Sequence, residues 1–176
     1  GKVESTIPPL KMDDDRLVAY LDAFLAPMDK DNQSPWNEAM HHANSAKGGK
    51  PTAKYQQATA TILEKIGPDR FRAFMVDLAG YVGKLKYETI TENFTYLEQE
   101  RSYTHDVFLK DRSKDVLKGL FWMSASLGGE DLLRGIAQAC ESCFRKMPGV
   151  GPSAAGVGNA CIYVLGTAEG LNGVAQ

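Results

Sequence analysis

Apolar residues recur at helical spacing along most of this chain, and the stretches that carry them are joined by very short turns. Leu17, Tyr20, Leu21, Phe24, Leu25 and Met28 fall on one helical face, as do Tyr55, Ala58, Ile62 and Ile66. Phe71, Phe74, Met75, Leu78, Val82 and Leu85 form a third stripe, and Leu132, Leu133, Ile136, Cys140, Cys143, Phe144 and Met147 a fourth. Residues spaced three and four apart share one side of a helix, and such a stripe must be buried against a neighbour. "IGPD" at 66–69 and "LGGED" at 127–131 leave room only for a tight reversal: glycine ends one helix, and proline or an acid opens the next. Helical hairpins stacked side by side are the economical way to satisfy this pattern.

The expectation is therefore an all-α chain, a HEAT- or armadillo-like α-solenoid of about three helical hairpins. Residues 1–12 carry Pro8-Pro9 and no helical period, and read as an extended lead-in. Residues 13–176 read as a single helical-repeat domain. Asp13, Asp14 and Asp15 supply an N-cap for the first helix. Residues 29–52 are polar and rich in turn formers, which predicts a long polar loop holding a short helix near 36–45. Tyr87, Ile90, Phe94, Leu97 and Arg101 keep helical spacing, so residues 86–104 are expected to be helical despite the threonines of "TITENFTYL". Asp111 or Ser113 would cap the next helix, and a last helix is expected from Pro152 to about Leu165. "MSASLGGEDLL" at 123–133 aligns in pattern with "CIYVLGTAEGL" at 161–171, a period near that of two-helix repeats. The sequence stops where a further helix would start, the expectation for a terminal repeat or for a piece of a longer array.

Composition narrows the function classes. The chain has 176 residues, 43% hydrophobic and 24% charged, with a net charge of −2, so it lacks the basic excess of a dedicated nucleic-acid binder. No apolar run reaches the ~20 residues that span a bilayer, so no membrane partner is expected. The first residues carry no n-region/h-region signal pattern, although a signal removed on export would leave the same sequence. Cys140, Cys143 and Cys161 are an odd set with one close pair, which suits reduced thiols in the cytoplasm better than a disulfide framework.

Several stretches touch chemical motifs. Met147, Pro148, Gly149, Val150, Gly151 and Ala155 resemble the helix-hairpin-helix motif of DNA-binding proteins, in which glycines and a helix N-terminus admit a phosphate. Arg145 and Lys146 precede the turn, while Pro152 and Ser153 stand where that motif commonly carries a cation. A tight joint between helices explains more of these residues, because Ala154, Ala155, Gly156, Gly158, Ala160 and Gly166 make a helix with almost no bulk. "CESC" sits on an apolar stripe with no second pair of ligands, so core packing is the expected use and no metal is expected. His41 and His42 are adjacent in the polar segment and His105 stands beside Asp106, but no nucleophile has a recognisable context. "AKGGKPT" lacks the strand and spacing of a P-loop. Trp36 is a candidate contact residue for a partner.

"LKGLFWMSASLG" and "ACESCFRKMPGVGPSAAGVGNACIYVLG" resemble, over residues 114–168, an uncharacterised bacterial HEAT-like domain family found in proteins related to a molybdate-metabolism regulator, some of them carrying WGR modules. The matching positions include Lys118, Gly119, Trp122, Lys146, Met147, Pro148, Gly149, Gly151, Pro152, Gly158, Asn159 and Ala160. The resemblance implies a helical region and no activity or catalytic residue.

The function expected is thus a non-enzymatic helical-repeat scaffold for a protein partner, with no catalytic residues and no cofactor. The alternatives are a DNA-associated module built on the 147–155 turn, and an enzyme with a histidine-containing loop site. The binding candidates are Trp36, His41, His42, Arg145, Lys146, Gly149 and Gly151.

Overall fold

The computed structural model describes residues 5–175, with side chains placed as far as Ala168. Seven helices follow in order: α1 (Arg16–Leu25), α2 (Lys30–Asn44), α3 (Ala53–Ile66), α4 (Pro68–Lys84), α5 (Asp111–Met123), α6 (Glu130–Phe144) and α7 (Ala155–Ala175). Between α4 and α5 stands an antiparallel hairpin of β1 (Glu88–Tyr96) and β2 (Gln99–Val107). A second, minimal pair, β3 (Lys146–Met147) and β4 (Gly151–Pro152), lies between α6 and α7. The fold is mixed α and β, which overturns the all-α expectation.

The helix starts follow from local chemistry. Asp15, the last of the acidic triplet, accepts a hydrogen bond from the Val18 amide at 3.0 Å and caps α1. Asp29 caps α2 through the Asn32 amide at 2.8 Å, and Thr52 caps α3 through the Tyr55 amide at 3.1 Å. Gly67 turns the chain with φ +99° and Pro68 opens α4, as the short "GPD" turn requires. Gly128 and Gly129 do the same before α6 with φ +64° and +100°. At α5 neither Asp111 nor Ser113 is the cap: Lys110 holds that position, and its amide donates to Asp15 Oδ2 at 3.0 Å.

Three expectations fail along the chain. Residues 30–44 are one continuous helix rather than a polar loop, with Pro35 inside it. Trp36, Ala39, Met40 and Ala43 recur three and four apart and are all buried, an apolar stripe diluted by polar neighbours. Residues 88–107 form strands: Ile90 and Phe94, four apart, share a face in a strand as they do in a helix, so their spacing does not discriminate. The 38-residue repeat dissolves because α7 runs through Gly166 without a turn.

The core explains why the helices do not form an open array. α2 meets α3, α3 meets α4, α4 meets α6, α6 meets α7, α7 meets α5, and α5 returns to α2. These contacts close a circuit, with Phe71, Phe121, Leu17, Met75, Leu78, Leu117 and Ile136 fully buried within it. Close approach sets two of the seams. A Cβ on Gly119 in α5 would overlap the backbone of Ala43 in α2, and one on Gly158 in α7 would lie 2.5 Å from the Phe144 ring. The bulk-free α7 thus serves its neighbour at Gly158, whereas a Cβ at Gly156 or Gly166 would meet open space. α1 completes the core through aromatic contacts: Tyr20 stacks on Tyr81 at 4.5 Å, and Phe24 meets Trp36 at 4.8 Å and Phe74 at 4.7 Å.

Candidate protein-interaction arm

The β1–β2 hairpin leaves the helical body as an arm. Every residue of β1 is exposed, and those of β2 are exposed up to Thr104. Nine residues per strand give a length of roughly 30 Å. Pairing across the strands sorts the side chains into two unlike faces. Thr89 opposite Asp106, Thr91 opposite Thr104, Asn93 opposite Ser102, and Thr95 opposite Glu100 form a wholly polar face. Ile90 opposite His105, Glu92 opposite Tyr103, Phe94 opposite Arg101, and Tyr96 opposite Gln99 form the other, which carries the apolar and aromatic groups. Five of the seven large hydrophobic residues exposed among the described ones lie on this hairpin: Ile90, Phe94, Tyr96, Leu97 and Tyr103.

Side chains on the apolar face organise one another. The Tyr103 ring lies edge-on to Phe94 at 5.9 Å and stacks on His105 at 5.3 Å. Tyr103 donates its hydroxyl proton to the Glu92 carboxylate, and His105 Nε2 stands 3.4 Å from Glu92 Oε1. The Tyr103 hydroxyl, with His105 next, holds the Glu92 carboxyl below its ordinary range, and the same bond raises the Tyr103 phenol. On the polar face Thr89 donates to Asp106 Oδ1 at 2.7 Å.

The tip is the least comfortable part of the molecule. A two-residue loop, Leu97-Glu98, joins the strands with φ +51° and +63°. Positive φ at both positions matches the twist of a hairpin, but Asn-Gly or Asp-Gly normally fills them. Leu97 and Glu98 are the two non-glycine residues with positive φ among the described residues. Leu97 is also 80% exposed. A large apolar side chain is thus held in water, in a left-handed conformation, at the end of a projecting arm.

At its root the arm is fastened by Arg16. This residue donates to the Lys86 carbonyl at 2.7 Å and to the Phe108 carbonyl at 2.6 Å, so one guanidinium bridges both legs. It also lies 3.6 Å from Glu88 and over the Phe108 ring at 5.8 Å. Leu85, Phe108 and Leu109 are buried beside it, and Ser142 Oγ donates to the Leu85 carbonyl at 2.7 Å. The arm therefore projects from a fixed base.

The residues singled out from the sequence are scattered. Trp36 is buried in an aromatic cluster with Phe24, Phe71 and Phe74 rather than lying on a loop. His41 is exposed, with Nε2 2.9 Å from the Pro8 carbonyl oxygen. His42 points elsewhere: it is half-buried, stacked on Tyr55 at 3.8 Å, with Nε2 2.9 Å from Thr59 Oγ1. Burial holds its pKa below the ordinary value and raises the Tyr55 phenol. His105 stands apart from both, on the arm. Arg145, Lys146 and Gly149 are exposed around the β3–β4 turn, where Gly149 and Gly151 have φ +73° and +114°. The amides just beyond this turn are already engaged. Ser153 donates both its amide, at 2.9 Å, and its hydroxyl, at 2.7 Å, to the Arg145 carbonyl, and the Ala154 amide donates to the Cys143 carbonyl at 2.8 Å. The segment is strapped to the end of α6, as a structural joint would be.

Burial pushes the Cys143 thiol up to about 12 and raises Cys161 and Cys140 as well, so all three are held as thiols. Among the described residues no group of three or more histidine, cysteine, aspartate or glutamate side chains is placed to hold a metal ion. Among the same residues no helix is long and apolar enough to cross a membrane.

Sequence reasoning missed Arg16, Leu97 and the aromatic face of the arm. The available signal was the alternation of Thr89, Thr91 and Thr95 with Ile90, Glu92, Phe94 and Tyr96, a period of two. No protein-family model, no curated protein and no solved structure matches this chain.

Proposed function

We propose that this chain is a protein-interaction module that presents the β1–β2 arm to a protein partner, with Leu97 as the anchor at its tip. The observation that carries this reading is Leu97 itself, 80% exposed and at φ +51°. Left-handed backbone costs a residue with a Cβ about 1–2 kcal/mol, and a leucine left in water gains none of the hydrophobic stabilisation that burial would supply. Strand pairing behind the loop holds that backbone in place, while the side chain itself stays uncovered. Burial in a partner supplies that stabilisation and makes the rigid, preset conformation useful, since less entropy is lost on binding. The aromatic face behind the tip, with Phe94 and Tyr103, supplies residue types enriched at interface centres. Arg16 fixes the direction in which the arm points.

A photoreactive amino acid at position 97, compared with one at Ile162, an exposed position on α7, tests the reading in the native host. The expected result is a covalent protein adduct from position 97 and none from position 162. Equal labelling from the two positions, or none from either, overturns it.

A further inference from the structure

Residues 5–12 form neither helix nor strand, and side chains of α2 and α5 hold them against the body. Each hydrogen bond to this segment among the described residues joins a body side chain to its backbone. The Ile7 amide donates to Ser34 Oγ at 2.8 Å, and the Ile7 carbonyl accepts from Asn37 Nδ2 at 2.9 Å. One turn further along α2, His41 Nε2 stands 2.9 Å from the Pro8 carbonyl oxygen. A carbonyl only accepts, so this nitrogen carries the proton. From α5, Arg112 donates to the Lys11 carbonyl at 2.9 Å. No amide or carbonyl of residues 5–12 pairs with backbone among the described residues.

Three features mark a groove for an extended segment. Ser34, Asn37 and His41 stand three and four residues apart, on one face of α2, and all three address backbone rather than side chains. Three of the four bonds go to carbonyls, and a proline-rich segment offers carbonyls while lacking amides. Pro8-Pro9 at the centre of the resident segment has that character. Asn37 is only 4% exposed, and the Ile7 carbonyl is the partner of its Nδ2. A buried amide left unpaired is costly, so this position is built to receive a carbonyl. The resident segment is itself held lightly: Ile7, Leu10 and Met12 are half-buried and its other residues are exposed.

We infer that this groove recognises extended, proline-rich segments of a protein partner, and that residues 7–11 occupy it as the chain's own stand-in. A tethered segment competes at an effective concentration on the order of 1 mM, so a partner segment enters by displacing it. Recognition through backbone carbonyls and a pre-extended proline pair is a mode that loses little entropy on binding. The inference does not rest on the arm.

Fluorescence anisotropy of the full chain with the labelled peptide Ser-Thr-Ile-Pro-Pro-Leu-Lys-Met, the sequence of residues 5–12, tests this. The full chain carrying Ile7→Gly and Leu10→Gly, which loosen the resident segment, is expected to bind the probe at least about tenfold more tightly than the native chain. Adding His41→Ala and Arg112→Ala, both at exposed positions, should weaken that binding at least about tenfold. A probe with alanine for both prolines should bind at least about threefold more weakly. In the native chain, the unlabelled peptide at about 5 mM, above the effective concentration of the tethered segment, should speed exchange of the chain's own Ile7 amide at least about twofold. That measurement stands even where the double-glycine variant does not fold. No binding to a folded double-glycine variant, affinity indifferent to His41→Ala with Arg112→Ala, equal affinity for the alanine probe, or an Ile7 amide unmoved by the peptide overturns the inference.

Discussion

Leu97 and Glu98 show how one residue choice can reveal a use. A hairpin loop of two residues with positive φ accepts asparagine and glycine at little cost, and neither stands at these two positions. Replacing the pair, Leu97→Asn with Glu98→Gly, should therefore stabilise the arm by about 1–2 kcal/mol. Slower amide exchange across residues 88–107 would show it, with exchange in the helices unchanged. With the photoreactive residue moved to the exposed position 96, the same double variant should lose partner adducts that the native tip gives, a separation of stability from binding that a purely structural tip would not give.

His42 provides a pH dependence of known sign. Its folded pKa lies below the ordinary 6.5 because burial against Tyr55 disfavours the imidazolium. The unfolded chain then binds more protons in the interval beneath 6.5. The stability from neutral His42 is complete above 6.5 and declines as the pH falls toward the folded value. Chemical denaturation between pH 7.5 and pH 5, values bracketing that window, should show this decline in the native chain and a flatter profile in His42→Gln.

At the scale of elements, the arm and the body are separable by design of their contacts. A two-stranded hairpin is marginal on its own, and this one touches the body chiefly at its root through Arg16, Phe108 and Leu85. Arg16→Ala removes charge-assisted bonds to the Lys86 and Phe108 carbonyls, at an expected cost of about 2 kcal/mol. Faster exchange at the root amides and a lowered melting temperature would register it. Lys in place of Arg16 should rescue little, because a single ammonium does not reproduce the planar fork that reaches both carbonyls. Replacing residues 88–107 by a short flexible loop should leave the helical circular dichroism and the cooperative melt of the body intact.

The whole molecule is held by a closed circuit of helices whose seams depend on small residues. Gly119 lets α5 reach the Ala43 backbone of α2, the contact that returns the circuit to its start. Gly119→Ala has no space for its methyl, and backbone rather than a flexible side chain stands in the way. It should destabilise by about 3 kcal/mol or more, visible as a fall in the denaturant midpoint. Gly151→Val should cost less, about 1–3 kcal/mol, because its φ of +114° is unfavourable to a β-branched residue while the space around its Cβ is open.

Local patterns were sufficient for much of this protein. The acidic triplet, "GPD", "LGGED" and the stripes through Leu78 and Ile136 carry their own periodicity and caps, so α1, α3, α4 and α6 were legible residue by residue. The same local reasoning misjudged α2, where polar residues and Pro35 hide a buried stripe, and the arm, where positions four apart suit helix and strand alike. The candidate site was not legible at all. That Leu97 sits at a strained tip depends on strand register, and that Arg16 bridges Lys86 and Phe108 depends on contacts 70 and 92 residues apart. Periodicity fixes which side of an element is apolar, because that is a property of a few neighbouring residues. Which apolar surface finds a mate, and which is left facing water, is decided only when distant segments close on one another.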